Sequence, residues 1–248
     1  MNRCYRISSA SPYLPKEIAD TLTASDQPLE FSSIAPYPGL GDKTLIVLAA
    51  DHGMAEMPEN MTELGFPAGR LYPDDIIATA NKIAKERFDI EDIVRFYYRP
   101  YLYLDTRKIE SANLDIEQVQ IEIAAALTEG PGIALAVARG GLAGPQAMPL
   151  RQQIQRNFHP ERSGDIYVVQ DLYWFNFDRG AVAAMHGSPW RYDTHVPIIF
   201  AGAGISGRVV HRLVHPVDVA PTLSALLGMT APGAARGTIL VEALGDDE

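Results

Sequence analysis

A continuous apolar run, TLIVLAA at 44–50, ends abruptly at Asp51, His52 and Gly53. A run of this length without alternating polar residues is typical of a strand that is buried on both faces, as in a parallel α/β sheet. The residues that follow such a strand lie at its C-terminal end, where open α/β sheets bind their ligands. The sequence therefore predicts an α/β fold with a candidate site at residues 51–53.

Strand and helix patterns alternate along the rest of the chain. Apolar spacing and capping residues predict helices that begin at residue 74, at 115–127, at 149–158 and after Asp218, with Gly228 as the stop of the last one. Strands are predicted at 133–138, at 165–170 and from residue 196. In the aromatic segment that starts at residue 94, Pro100 predicts either an edge strand or a break between two strands. A short helix is predicted at 16–23.

The distribution of polar, chemically reactive residues suggests how the chain is organised. Residues 41–73 and 159–248 carry the candidate site residues and are interpreted as the core. Residues 74–158 contain few such residues and are interpreted as an inserted α+β accessory lobe. Residues 1–40 are rich in Ser and Pro and form a poorly defined N-terminal segment.

Composition limits the partners of the chain. The formal net charge of −10 over 248 residues argues against binding to nucleic acid or to acidic membranes, because both require cationic patches. No stretch approaches the roughly 18–20 apolar residues of a membrane span. The single cysteine, Cys4, cannot form an intrachain disulfide, and the first residues lack a signal-peptide pattern, so the localisation stays unknown.

Three of the six histidines lie in settings that suggest a metal ion. Asp51 and His52 combine a carboxylate with an imidazole at a strand end, a pair that suits zinc or a similar divalent ion. His186 lies in a Gly/Ser/Pro loop before another apolar strand, and His195 follows in the same loop. On spacing alone, the alternative is that Asp51 caps a turn and His52 is an ordinary loop histidine.

Four motifs, in this order along the chain, resemble those of the alkaline phosphatase superfamily. The resemblance is to the branch of bacterial alkaline phosphatases and type I phosphodiesterase/nucleotide pyrophosphatases. The motifs are LIVLAADHGMAEMPE, NFHPERSGDIYVV, HGSPWRYDTHVPIIF and HPVDVAPTLSALLG. The resemblance implies a partial α/β fold whose sheet is mixed but mostly parallel, with flanking helices. It also implies hydrolysis of small-molecule phosphate esters, mono- or diesters, through a Thr or Ser phospho-enzyme and two zinc ions.

The resemblance assigns ligands to individual residues. Asp51 and His52 match ligands of one zinc ion, and His186 matches the late histidine ligand of the other. His195 is the other candidate for the position assigned to His186. The alternative role of His195 is to support the metal site without binding the metal. No residue of the chain matches the catalytic nucleophile.

The chain departs from the family pattern before residue 51. No histidine precedes His52, so the Asp-x-x-x-His pair that completes the second zinc site is missing from its usual place. We therefore expect the C-terminal part of a hydrolase, inactive or very weak alone, and either a gene fragment or one half of a split enzyme. The alternative is a non-catalytic metal-binding or interaction fragment. An exposed sheet edge predicts self-association or binding of a missing N-terminal half. Relatives of this branch are typically periplasmic or secreted.

Overall fold

The computed structural model describes residues 44–145, 147–177, 179–180, 183–202 and 204–244. The predictions for residues 1–40, including the helix at 16–23, lie outside this part of the chain. Within it, no helix combines the length and the apolar character that a membrane crossing requires.

Eight strands and seven α-helices are assigned within the described residues. The strands are β1 (Leu45–Ala49), β2 (Gly69–Leu71), β3 (Val94–Tyr98), β4 (Tyr101–Leu104), β5 (Ile133–Ala138), β6 (Ile166–Gln170), β7 (Trp174–Asn176) and β8 (Ile198–Gly202). The helices are α1 (Pro58–Glu63), α2 (Pro73–Phe88), α3 (Thr106–Ser111), α4 (Ile116–Thr128), α5 (Pro149–Arg156), α6 (Arg191–Thr194) and α7 (Val219–Leu226). Short 3-10 helices lie at Arg139–Leu142, Pro216–Asp218 and Val241–Ala243.

The chain divides into two compact units. Of the described residues, those at 44–51 and those after Thr194 form the first unit, and those from His52 to Thr194 form the second. The boundaries fall between Asp51 and His52 and between Thr194 and His195, so each predicted ligand belongs to a definite unit.

The second unit is built on a four-stranded antiparallel sheet with the strand order β3-β4-β6-β5. All five residues of β6 are buried, because this strand is covered on both faces. Ile166 and Val168 join one apolar cluster, whereas Tyr167 and Val169 join another. This alternation is the period of two that places successive side chains on opposite faces of a strand.

Helices α2 and α4 supply much of the larger cluster. Their buried residues recur at helical spacing: Ile76, Ala80, Ile83 and Ala84 on α2, and Val119, Ile123, Ala124 and Leu127 on α4. Asp115 begins α4, because its carboxylate accepts a hydrogen bond from the backbone N–H of Gln118 at 2.7 Å. The two long helices are therefore confirmed where the sequence pattern predicted them.

Two short strands of the second unit lead to the candidate site. Strands β2 and β7 pair in parallel over three residues each. Asn176 ends β7, and the chain then continues towards the loop that contains His186.

In the first unit, β1 and β8 form an antiparallel pair, with Leu45 opposite Gly202 and Ala49 opposite Ile198. Asp218 organises the C-terminal part of this unit. Its carboxylate accepts hydrogen bonds from the backbone N–H groups of His215 and Thr238, each at 2.8 Å. Asp218 is the N-cap residue of α7, as predicted, but its side chain bonds back to His215 and across to Thr238 and not into the helix.

The predicted α/β class with a mixed sheet arrangement is confirmed, but the expectation of mostly parallel pairing is wrong for the described residues. Only β2 and β7 pair in parallel there, and the other strand pairs are antiparallel. The apolar run at 44–50 also predicts a strand buried on both faces, but β1 is only partly buried at residues 45–47 and is exposed at Leu48 and Ala49. The direction of a strand's neighbour depends on connections that such a run does not encode.

The strand pairing in this sheet also crosses the predicted boundary between the core and the accessory lobe. Strand β6, which lies in the segment 159–248 assigned to the core, pairs with β4 and β5 of the segment 74–158. These strands therefore share one sheet. The apolar faces of β6 are covered by helices α2 and α4 on one side and by α5 on the other.

Candidate functional site

The second unit brings two of the predicted ligands, His52 and His186, into direct contact. Their imidazole rings stack with centroids 3.3 Å apart and planes inclined by 7°. Both side chains are half-buried. Two histidines from distant parts of the sequence thus lie at one place, directly after β1 in one case and in the loop between β7 and α6 in the other.

A backbone contact fixes the tautomer of His52. Its Nδ1 lies 2.7 Å from the carbonyl oxygen of Gly53. A carbonyl oxygen only accepts hydrogen bonds, so Nδ1 carries a proton, and in the neutral ring Nε2 then carries the lone pair. Histidine ligands of metals generally donate their second ring N–H to a carbonyl or carboxylate in this way.

Asp193 connects the segments that carry the two histidines. Its carboxylate Oδ2 accepts a hydrogen bond from the backbone N–H of Ser188 at 2.7 Å. Its backbone oxygen accepts one from the N–H of Gly53 at 2.8 Å. The side chain is buried, with 4% of its residue surface exposed.

A small cavity lies next to His186. Its volume is about 10 Å³, and its lining includes polar side chains of Arg99, Asn176 and Asp193. The guanidinium of Arg99 donates a hydrogen bond to the backbone oxygen of Asn176 at 2.9 Å and lies over the ring of Phe177. A fixed cation therefore borders the cavity.

Two phenols near this cavity are held in their neutral form. Burial raises the pKa of Tyr192 to about 12, and a hydrogen bond with Ser188 partly opposes the shift. Burial also raises the pKa of Tyr97 well above its usual value. The Tyr97 hydroxyl accepts a hydrogen bond from Nδ2 of Asn176 at 2.6 Å. Neither phenol therefore adds negative charge to the site at neutral pH.

The remaining predicted ligands, Asp51 and His195, belong to the first unit. Both are exposed: Asp51 lies just beyond the end of β1, and His195 lies before β8. The structure therefore pairs His52 with His186 within one unit, whereas Asp51 and His195 are parts of the other.

The donor types suit zinc, but their number is too small. Within the described ranges, no group of three or more His, Cys, Asp and Glu side chains lies close enough to hold a metal ion. Stable zinc sites have three or four protein ligands. The described residues therefore do not form a complete zinc site by themselves.

Several residues that shape the site were not singled out by their sequence pattern. Asn176 and Arg99 lie in aromatic segments, at 174–177 and from residue 94 onward. The only available signal was a polar residue at the end of an apolar strand, as in the segment WFNF at 174–177. Asp193 lies in the motif HGSPWRYDTHVPIIF, but its residue type alone does not identify the groups it contacts.

The fold and the histidine loops now define the class of protein. Residues 31–189 match the sequence model of the type I phosphodiesterase / nucleotide pyrophosphatase family. This segment covers more than half of the chain, and the chain therefore belongs to that family, within the alkaline phosphatase superfamily. The predicted family is confirmed.

Individual relatives match over most of this chain. The chain is 28% identical over 233 residues to a protein named calcium-transporting ATPase from Myroides odoratus, covering 93% of this chain and 40% of that one. It is 26% identical over 234 residues to alkaline phosphatase PafA from Elizabethkingia meningoseptica, covering 92% and 42%. The crystal structure of wild-type PafA superposes with a TM-score of 0.75 at 23% identity, covering 93% of this chain and 42% of that chain. The chain thus spans about two fifths of the length of these relatives.

Proposed function

We propose that the chain supplies part of the active site of a metal-dependent phosphate-ester hydrolase. The stacking of His52 on His186 carries this proposal, because the family resemblance assigns these two histidines to the two metals of one phosphate-binding site. The family relationship supports the reaction type. A small-molecule phosphate mono- or diester is the proposed substrate.

In the proposal, Asp51 and His52 are ligands of one zinc ion and His186 is a ligand of the other. The Nδ1 contact of His52 supports its role, because it leaves Nε2 with the lone pair that a metal requires. His195 is the alternative to His186. The stacking supports His186, since it is His186 that lies against His52.

The proposal assigns no nucleophile to this chain. In the family, a Thr or Ser attacks phosphorus and forms a phospho-enzyme, and no residue here matches it. The remaining metal ligands and the nucleophile belong to parts of the family fold that this chain does not match, whether they lie on the same polypeptide or on another. We therefore propose that the chain alone is inactive or very weakly active.

Zinc binding is the first test. The full chain is stripped of metal, and its Zn²⁺ affinity is measured by competition with a chromophoric chelator for the wild type, His52→Ala, His186→Ala and His195→Ala. His211→Ala is the matched control, because His211 is exposed and is assigned no ligand role. We expect weak binding that falls at least about tenfold in H52A and H186A and stays unchanged in H195A and H211A.

Turnover is the second test. Hydrolysis of p-nitrophenyl phosphate and bis-p-nitrophenyl phosphate is measured for the chain alone and after co-expression with a segment that carries the nucleophile part of the family fold. We expect turnover in the co-expressed sample only, with loss in H52A and H186A. No turnover in that sample, together with equal zinc affinity in all four variants, would rule out the proposal.

A further inference from the structure

We propose that Asp193 is a positioning residue that holds the loops of His52 and His186 together. It contacts both loops at once, through its carboxylate to the N–H of Ser188 at 2.7 Å and through its backbone oxygen to the N–H of Gly53 at 2.8 Å. Ser188 lies two residues after His186, and Gly53 directly follows His52. A shift of Asp193 therefore moves both histidines.

The contact at Gly53 is too close for any side chain. A Cβ at this position would lie 2.0 Å from the backbone oxygen of Tyr192 and 3.6 Å from the Cα of Asp193. The turn after His52 therefore rests directly on the backbone of α6. Since Nδ1 of His52 also contacts the oxygen of Gly53, the imidazole is connected to Asp193 through a single residue.

The second carboxylate oxygen of Asp193 supplies an independent observation. Its Oδ1 is buried without a hydrogen-bond partner, as is Oδ1 of Asn176. Both residues line the cavity of about 10 Å³ beside His186. That volume is close to what one water molecule needs, and two buried acceptors require a hydrogen-bond donor. A hydrogen-bond donor the size of one water molecule, bound to both Oδ1 atoms, would also connect Asp193 to Asn176 at the end of β7.

Burial explains why the arrangement depends on Asp193 itself. A buried carboxylate that accepts a backbone hydrogen bond stabilises the loop it contacts, whereas removing the acceptor leaves a buried N–H unsatisfied. An Asn at 193 retains one acceptor oxygen of the same shape. A Leu has a similar volume and no acceptor.

The first experiment measures the contact between the rings of His52 and His186 in the absence of metal. The nuclear Overhauser effect between the ring protons of His52 and His186 is measured in the metal-free full chain for Asp193→Asn and Asp193→Leu. Asp165→Asn is the matched control, because Asp165 is also buried and accepts a backbone hydrogen bond, from Leu104 at 2.8 Å within the sheet. We expect the effect to persist in D193N and D165N and to disappear in D193L.

Zinc affinity of the same variants is the second readout, and it rests on the proposed function. We expect a loss of about tenfold or more in D193L, with rescue to within about threefold in D193N. An unchanged ring contact in D193L would overturn the positioning role. Loss of the contact in a folded D193N would overturn it too. The D193N result decides the question if D193L does not fold. A wild type that shows the ring contact but binds no zinc and gives no turnover after co-expression would refute the proposed function and leave the positioning role intact.

Discussion

Gly53 shows how one residue sets the geometry of the site. The space where its Cβ would lie is occupied by the backbone oxygen of Tyr192, at 2.0 Å. Backbone atoms cannot move aside as a flexible side chain can, so a substitution must separate the turn from α6. The requirement for glycine here is steric and comes from a segment far away in the sequence.

We therefore expect Gly53→Ala to destabilise the second unit by about 2 kcal/mol, because the added methyl group overpacks a rigid contact. It should also abolish the ring contact between His52 and His186. Thermal melting and the ring-proton Overhauser effect measure the two results. Gly180→Ala is the control, since no atom lies within 4 Å of its added Cβ. Equal melting temperatures for both variants would contradict the steric argument.

The sequence revealed the two histidines more easily than their supporting residues. His52 and His186 stand next to glycines at the ends of apolar segments, where local pattern and family motif coincide. Asp193 acts through one side-chain oxygen and one backbone oxygen, and its partners Ser188 and Gly53 are identified only by three-dimensional contact. The type of a residue does not indicate the partner of its backbone hydrogen bond.

At the scale of elements, β6 defines the core of the second unit. It pairs with β4 and β5, and its five residues are buried. Ile166 is fully buried against the α2–α4 layer. The strand therefore stabilises the segment 74–158 as much as the segment that contains it.

We expect Ile166→Ala to lower the free energy of unfolding by about 2–5 kcal/mol, because it leaves a cavity in a core that is covered on both faces. The loss should appear in the same cooperative transition that unfolds α2 and α4, as followed by urea denaturation with circular dichroism. Ile121→Ala is the control: Ile121 lies on α4 but is 44% exposed, so its truncation should have little effect. A separate, unshifted transition for the helices would place β6 outside their folding unit.

The elements divide into those that apolar periodicity identifies and those that it does not. Strands β5 and β6 and helices α2 and α4 were predicted because each has a regular apolar pattern over several residues. The three-residue strands β2 and β7 are too short to show one. Strand direction was mispredicted because periodicity reports burial and not the identity of the neighbour.

An ion pair attaches the last 3-10 helix to the rest of the first unit. The guanidinium of Arg212 donates hydrogen bonds to both carboxylate oxygens of Glu242, at 2.5 and 2.8 Å. This lowers the pKa of Glu242 to about 2 from its usual 4.5. A lowered pKa in the folded state means that the stabilisation is present above pH 4.5 and is lost as the pH falls through 2. The effect on stability is small, because water screens an exposed pair.

The carboxyl carbon of Glu242 should therefore titrate near pH 2 in a ¹³C NMR titration of the full chain. In Arg212→Gln the same signal should titrate at a higher pH than in the wild type, because the hydrogen bonds from the guanidinium are gone. Lys82→Gln is the control, since Lys82 lies in the second unit, where it pairs with Glu86 at 3.8 Å. A Glu242 titration that is the same in wild type and R212Q would show that the pair does not form in solution.

At the scale of the whole molecule, the segment 209–229 of the first unit exposes several large apolar side chains. Large apolar residues of the first unit are exposed at Val209 (66%), Leu213 (74%), Val217 (58%), Leu227 (59%) and Met229 (65%). The chain spans about two fifths of the length of PafA, whose fold it shares. Exposed apolar surface promotes association between protein molecules.

We therefore expect the isolated full chain to self-associate in a concentration-dependent manner, as measured by sedimentation velocity. The net charge of −10 opposes association, so added salt should strengthen it by screening the repulsion between copies. The double variant Leu213→Gln with Met229→Gln should remain monomeric at higher concentration, because it removes apolar surface without changing the charge. Leu64→Gln is the control: Leu64 is also 70% exposed but belongs to the second unit, so its substitution should leave association unchanged. A monomer at every concentration and salt level would show that the first unit covers these side chains by itself.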